Sequence, residues 1–158
     1  MRRFVPILLL ATACAPLPDP DIVLGTGEIE FEPVADEIEV IRGPQGGFHL
    51  LGSMRSAGVN PGNRERLDAP NNPTTTFRVW FGDTQLAPVS AYTQGLDESE
   101  AEGFTHEMIG RLVVLDIRDD SELAGEVVTF EVELSSPDGT SITDACLLYT
   151  SPSPRDRG

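Results

Sequence analysis

Glycine and proline divide this chain into short segments, and several of the segments alternate between apolar and polar residues. Residues 28–32 and 37–41 both follow an acidic-apolar pattern of period two, which is typical of half-buried strands. Residues 74–81 are the clearest strand, because they are rich in threonine, phenylalanine, valine and tryptophan. No segment shows a convincing helical period, so the sequence predicts an all-β fold.

Further strands are predicted over residues 48–55, 86–92, 105–116, 125–135 and 140–145. Residues 111–117 are apolar enough to predict a buried strand, and Pro137-Asp138-Gly139 is a hairpin turn signal. Short strands at regular spacing favour an immunoglobulin-like β-sandwich, here expected to be truncated in its last strand. The polar loop over residues 60–73 is long for a compact domain, and such loops are often functional or mobile.

The start of the chain has the parts of a secretory signal. A positive Met1-Arg2-Arg3 precedes a short apolar run over residues 4–10 and small residues over 11–13. The apolar run is too short to span a bilayer as a helix. Cleavage is expected before Cys14, and the proline-rich residues 15–20 are expected to form an extended tether.

Residues 10–14, Leu-Ala-Thr-Ala-Cys, resemble the lipobox of bacterial lipoproteins. The resemblance implies that Cys14 carries lipid and anchors the protein to a membrane. Ala15, where aspartate would favour retention, implies the outer membrane. Ala11 departs from the leucine that the family prefers, and Ala11-Thr12-Ala13 also fits ordinary signal cleavage at the same bond. Secretion without lipid is therefore the alternative.

The end of the chain is unlike the rest. Residues 146–156, CLLYTSPSPRD, resemble one reading frame of a common transposase sequencing adapter, with a natural Ser/Pro-rich tail as the alternative. Without Cys146, no disulfide framework remains. The expected organisation is a signal peptide over 1–13, a lipidated cysteine and tether over 14–24, a β-sandwich over 25–145 and a non-native tail over 146–158.

Charge narrows the range of partners. Residues 14–145 contain seven arginines, no lysine and 25 acidic residues, which gives a net charge of −18. Such a surface is soluble and repels itself. It argues against nucleic acid and against anionic membrane surfaces as partners, because both need basic patches.

Catalytic and metal-binding motifs are sparse. No Gly-x-Ser-x-Gly elbow and no phosphate-binding loop are present, and the two histidines, His49 and His106, show no metal-ligand spacing. Acidic clusters offer oxygen ligands for calcium, although a solvated acidic loop is the favoured interpretation. The carboxylates concerned are Asp97, Glu98, Glu100, Asp119 and Asp120. No cofactor is expected.

Two residues are candidates for ligand binding. Trp80 and Phe81 are adjacent in one strand, so one is expected in the core and the other could belong to a ligand platform. His49 follows Gly43-Pro-Gln-Gly-Gly, a segment that resembles one in uncharacterised acidic bacterial lipoproteins with β-sandwich domains. That resemblance implies a fold and a location but no activity. A bulge or a corner where the chain changes sheets is the favoured interpretation of the segment.

Three hypotheses about function follow. The first is a non-enzymatic, lipid-anchored envelope domain that binds a protein or glycan partner or serves structurally. The second is a secreted calcium- or carbohydrate-binding module. The third is a hydrolase that uses His49 or His106, which requires a cleft and a carboxylate partner at the histidine.

Overall fold

The computed structural model describes residues 19–87 and 90–152, and the regular secondary structure of this part of the chain is almost entirely strand. The strands are β1 (Asp21–Thr26), β2 (Glu32–Pro33), β3 (Glu37–Arg42), β4 (Phe48–Ala57), β5 (Thr74–Phe81), β6 (Thr84–Gln85), β7 (Ser90–Thr93), β8 (Asp97–Glu98), β9 (His106–Leu115), β10 (Val127–Ser135) and β11 (Ser141–Pro152). One 3₁₀ turn spans Asp120–Glu122. Within the described ranges, no helix has the length and apolar character needed to cross a membrane.

The strands form two sheets that are joined through β3. The first sheet has β1, β4, β9 and β8 in that order, with β2 beside β1, and the second has β11, β10 and β5, with β6 and β7 along β5. Strand β3 pairs antiparallel with β4 at its end and parallel with β11 at its start. This strand order is that of an immunoglobulin-like sandwich, so the predicted fold class is confirmed.

The core lies between the two sheets and is filled by alternate residues of the long strands. The second sheet contributes Phe77, Val79, Phe130 and Val132, and the first contributes Leu24, Leu50, Met54, Met108 and Val113. Gly52 of β4 is required for the close approach of the sheets. A Cβ atom at Gly52 would lie 2.8 Å from the ring of Phe77 and 3.0 Å from Val113.

At the start of the domain, the structure differs from the sequence prediction. Strand β1 begins at Asp21, inside the segment assigned to the tether, and buries Ile22 and Leu24. The strand predicted over residues 28–32 is wrong, because Gly27 at φ +103° turns the chain and Ile29 is 90% exposed. Only Glu32–Pro33 pairs as a strand there.

The last strand continues beyond the predicted end of the sandwich at residue 145. Residues 146–152 extend β11 between β10 and β3, and Leu148 is buried. Cys146 is half-buried and forms no disulfide within the described residues. Residues 146–150 are apolar or β-branched, so they fit a strand whatever their origin, and the derivation of this segment from an adapter stays a prediction.

Candidate functional site

The five carboxylates considered for calcium fall at opposite ends of strand β9. Asp97, Glu98 and Glu100 lie beside its start at His106, whereas Asp119 and Asp120 follow its end. Ten residues of strand separate the two clusters by about 30 Å, so they do not form a common site. Among the described residues, no group of three or more histidine, cysteine, aspartate or glutamate side chains is placed to hold a metal ion.

Asp119 caps the 3₁₀ turn that follows it. Its Oδ1 accepts a hydrogen bond of 2.9 Å from the Ser121 amide. The Ser121 side chain is the main cause of a lowered Asp119 pKa, and the bond from the Ser121 amide adds to it. The Glu122 side chain in turn accepts from the Asp119 amide at 3.1 Å, which completes a capping box. The cluster therefore satisfies backbone donors of the chain itself.

The other cluster borders a cleft of about 560 Å³ near the end of the first sheet, lined by Arg55, Glu98, Glu100, Ala101 and Glu107. Arg55 and Glu107 form an ion pair at 2.8 Å with both side chains mostly buried. Glu107 Oε2 also accepts from Ser99 Oγ at 2.9 Å. Glu107 is thus committed to internal partners, whereas no hydrogen bond or ion pair is found for Glu98 or Glu100 among the described side chains.

His106 lines a second, smaller cleft of about 240 Å³, which Glu98 also borders. Glu98 and His106 are direct partners across the β8–β9 ladder, and Nδ1 of His106 lies 2.9 Å from Thr105 Oγ1. Burial lowers the pKa of His106, and the charge of Glu98 opposes the shift. This histidine has the cleft and the carboxylate neighbour that the hydrolase hypothesis requires, so that hypothesis stays a prediction for His106.

His49 stands on the outer face of the first sheet. Its neighbours Phe48 and Leu50 point into the core, so its ring faces away from the core, between its cross-strand partners Ile41 and Val114. Burial lowers its pKa. Its neighbours across the sheet are aliphatic, and neither supplies the carboxylate partner that the hydrolase hypothesis requires.

The glycine-rich segment before His49 forms a tight hairpin between β3 and β4. The amide of Gly43 donates to the Gly47 carbonyl at 2.7 Å, and Gly46 adopts φ +88°. The chain passes from one sheet to the other inside β3, between Val40 and Ile41, so the turn itself joins two strands of the first sheet. The interpretation of the segment as a bulge or a corner between sheets is therefore wrong.

Trp80 lies on the outer face of the second sheet and is half-buried beside Thr129 and Gln85. The expectation that Trp80 or Phe81 belongs to the core is wrong. Phe81 has the inward parity but lies at the end of β5, past the core, and is 38% exposed. Phe77 and Val79 take the core positions of this strand instead.

Arg78, on the same outer face as Trp80, joins two carboxylates of β10. Its Nη1 lies 2.9 Å from Glu131 and its Nη2 2.7 Å from Glu133. The hydrogen bond from Arg78 is the main cause of a lowered Glu133 pKa, and the Ser141 hydroxyl adds to it. The three side chains are mostly covered, so the bridge fixes β5 to β10.

The bridge at Arg78 predicts a defined response to acid. A carboxylate whose pKa is lowered by folding stabilises the protein above its unfolded pKa of about 4.3 and loses that contribution as the pH falls through the folded pKa. We expect Arg78→Met to remove this part of the acid sensitivity, an effect below about 1 kcal/mol for a partly solvated pair. Urea unfolding at pH 7 and pH 3 measures it.

The control for this acid response is Arg66→Met, which removes the exposed pair between Arg66 and Asp68 at 3.4 Å. It should leave the difference in stability between the two pH values unchanged. If the Arg78 variant kept the full acid sensitivity of the parent, the bridge would have no role in it.

One apolar surface was missed by the sequence analysis. The run over residues 111–117 was predicted to be a buried strand, but Leu112 is 50% exposed and Val114 57% exposed. Within residues 111–115, strand β9 covers the core with Val113 and Leu115, and the alternate residues Leu112 and Val114 face outward beside Leu51 and His49. We call Leu51, Leu112 and Val114 the first-sheet patch. Reading the run with period two would have found it.

Comparisons with known proteins add little beyond these observations. No protein-family model matches the chain, and no curated protein matches it. Among solved structures, a structure of murine CRIg aligns with a TM-score of 0.34 and 11% sequence identity, over 84% of this chain and 98% of the other.

Proposed function

We propose that this chain is the precursor of a bacterial lipoprotein whose immunoglobulin-like domain acts in the cell envelope as a non-enzymatic binding or structural domain. Cys14 lies outside the described residues, and its lipidation is supported by the resemblance of residues 10–14 to a lipobox. Ala15 supports the outer membrane as the site of anchoring. Two or three acyl chains hold a protein firmly where one chain alone does not.

The short distance from the anchor to the fold supports this role. Strand β1 begins at Asp21, seven residues after Cys14. At about 3.5 Å per residue, the intervening chain reaches no further than about 25 Å. Asp21 pairs with Ala57, at the end of the first sheet that also carries His106 and β8. On this proposal, that end of the domain stands next to the membrane.

The binding role rests on one observation, the first-sheet patch. Its exposed leucine and valine side chains lie side by side on a strongly acidic domain. Adjacent exposed apolar side chains on a soluble protein are a common mark of an interaction surface. The patch also lies on β4 and β9, away from the tethered end at Ala57, where a partner has access.

Labelling with a radioactive fatty acid tests the anchor. We expect Cys14→Ser to lose the label completely and to move from the membrane fraction to the soluble fraction, because the acylated thiol is gone. Cys146→Ser is the matched control, since Cys146 is the other cysteine of the chain, and it should label as the parent does. Equal labelling of the parent and Cys14→Ser would exclude the lipid anchor and leave ordinary secretion.

A further inference from the structure

The first-sheet patch is a cross-strand cluster held rigidly by two paired strands. Leu51 lies directly opposite Leu112, and His49 lies opposite Val114, so the outward side chains form two adjacent rows. Ile41 of β3 extends the rows by pairing with His49 on its other side. The inward neighbours of these residues are core side chains, so the surface is preorganised and loses little entropy when it is covered.

The loop after β1 adds a projecting apolar side chain beside the patch. Ser53 Oγ donates to the Gly27 carbonyl at 3.3 Å and accepts from the Gly110 amide at 3.0 Å, which fixes the loop to both strands. The Glu28 backbone packs so closely on Gly110 that a Cβ there would lie 2.4 Å from the Glu28 carbonyl. Ile29 projects from this loop at 90% exposure.

Acidic side chains surround these apolar groups. Glu28 and Glu30 flank Ile29, Glu39 precedes Ile41 with the same outward parity, and Asp116 follows Val114 in the same way. All four are exposed, and none takes part in an ion pair with another described residue. An apolar centre with an acidic rim is complementary to an apolar segment that carries lysine or arginine at its margins.

The negative charge of the domain also argues against two other occupants of the first-sheet patch. A second copy of the chain would bring the same acidic rim and a net charge of −18 over residues 14–145, so the copies would repel each other. An anionic membrane surface would be repelled for the same reason. A basic protein partner is the occupant that the surface favours.

The partner has to approach the face of the sheet rather than its edge. The outer edge of β9 is partly occupied, because Tyr92 Oη donates to the Leu112 carbonyl at 2.5 Å and the Asp116 amide donates to the Leu86 carbonyl at 2.7 Å. A strand added along this edge would have to displace both hydrogen bonds. Side-chain packing onto the outer face needs no such displacement.

We infer that the outer face of the first sheet, formed by the first-sheet patch and Ile29 with its acidic rim, is a docking surface for an apolar protein segment flanked by basic residues. This inference deepens the proposed binding role of the domain and rests on it. It does not depend on the lipid at Cys14.

The probe is a fluorescent peptide with a central run of valines and lysines at both ends, titrated by anisotropy at physiological salt. The protein is the processed full chain in nanodiscs of zwitterionic phosphatidylcholine, or in buffer if fatty-acid labelling fails. We expect Leu112→Ser to weaken binding about tenfold, since a leucine contact of this size is worth that factor. Leu67→Ser makes the same change at a leucine that is 73% exposed in the 60–73 loop, and it should change affinity less than twofold.

A second peptide distinguishes apolar docking from general attraction between charges. A serine-lysine peptide keeps the charge without the apolar groups and should bind at least tenfold more weakly than the valine-lysine peptide. Val114→Thr preserves the β-branched shape, so it serves if Leu112→Ser folds poorly, and we expect a several-fold loss from it.

Equal affinities for the Leu112 and Leu67 variants would overturn the inference, as would equal binding of the two peptides. Self-association without peptide that Leu112→Ser abolishes would also overturn it, in favour of a second copy as the occupant. If the parent protein takes up no fatty-acid label but still binds the valine-lysine peptide, the lipid anchor is excluded and the docking surface is retained.

Discussion

Replacement of Phe77 by alanine is expected to cost about 3–5 kcal/mol of unfolding free energy, a large share of the stability of a domain this size. Phe77 is fully buried in β5 and touches both sheets. Its ring lies 5.9 Å from that of Phe130 and packs edge-on against Tyr92 at 6.5 Å. Gly52 lies against the ring of Phe77 and has no side chain that could move into the cavity.

Phe81→Ala is the matched control for Phe77→Ala, because it makes the same change in the same strand. Phe81 is partly exposed at the end of β5 and belongs to no part of the core. We expect it to cost less than about 1.5 kcal/mol, since much of its surface is already in contact with water. Urea unfolding of both variants measures the difference. Equal losses would mean that the sandwich is not packed around Phe77.

The strand pattern of this fold could be predicted from sequence wherever alternation lasted long enough. Strands β3, β4 and β5 were found because each buries every second residue over a stretch of at least four positions. Strand β1 was missed because a run of six residues after a proline-rich segment carries little pattern. The prediction of a strand over residues 28–32 was wrong because an alternating pattern does not show that Gly27 turns the chain away from the sheet.

The candidate sites could be predicted less well, because a site depends on pairing between distant segments. The acidic residues of β8 and those after β9 look alike in sequence, but the ladder sends them to opposite ends of one strand. His106 and Glu98 meet only because β8 pairs with β9. The first-sheet patch was concealed for a different reason, since the composition of residues 111–117 is that of a buried strand while only one of its faces meets the core.

The 60–73 loop was predicted to be functional or mobile from its length, but a buried asparagine gives it a fixed structure. Asn72 is 3% exposed, and its side chain contacts the loop at three points. Its Oδ1 accepts from the Asn63 amide at 2.7 Å, and its Nδ2 donates to the carbonyls of Arg66 and Leu67 at 2.8 and 3.2 Å. Each of these part-buried bonds satisfies a backbone group of the loop.

We therefore expect Asn72→Ala to cost about 2–4 kcal/mol, because it leaves one amide and two carbonyls without their partner and creates a small cavity. The loss should be concentrated in the loop, where backbone amides lose their protection first. Thermal unfolding gives the total loss, and hydrogen exchange of the loop amides gives its location.

Asn71→Ala is the matched control, since Asn71 precedes Asn72 in the chain and is exposed to solvent. It should change stability by no more than about 0.5 kcal/mol. Asn72→Asp gives a second comparison, because it keeps the shape and the acceptor for Asn63 but removes both donor bonds. If the loop amides of Asn72→Ala exchanged as slowly as those of Asn71→Ala, the loop would be held by its own turns rather than by this side chain. The bond from the Leu96 amide to the Pro61 carbonyl at 2.8 Å and the ion pair between Arg64 and Asp97 at 3.2 Å would then attach the loop to the sandwich.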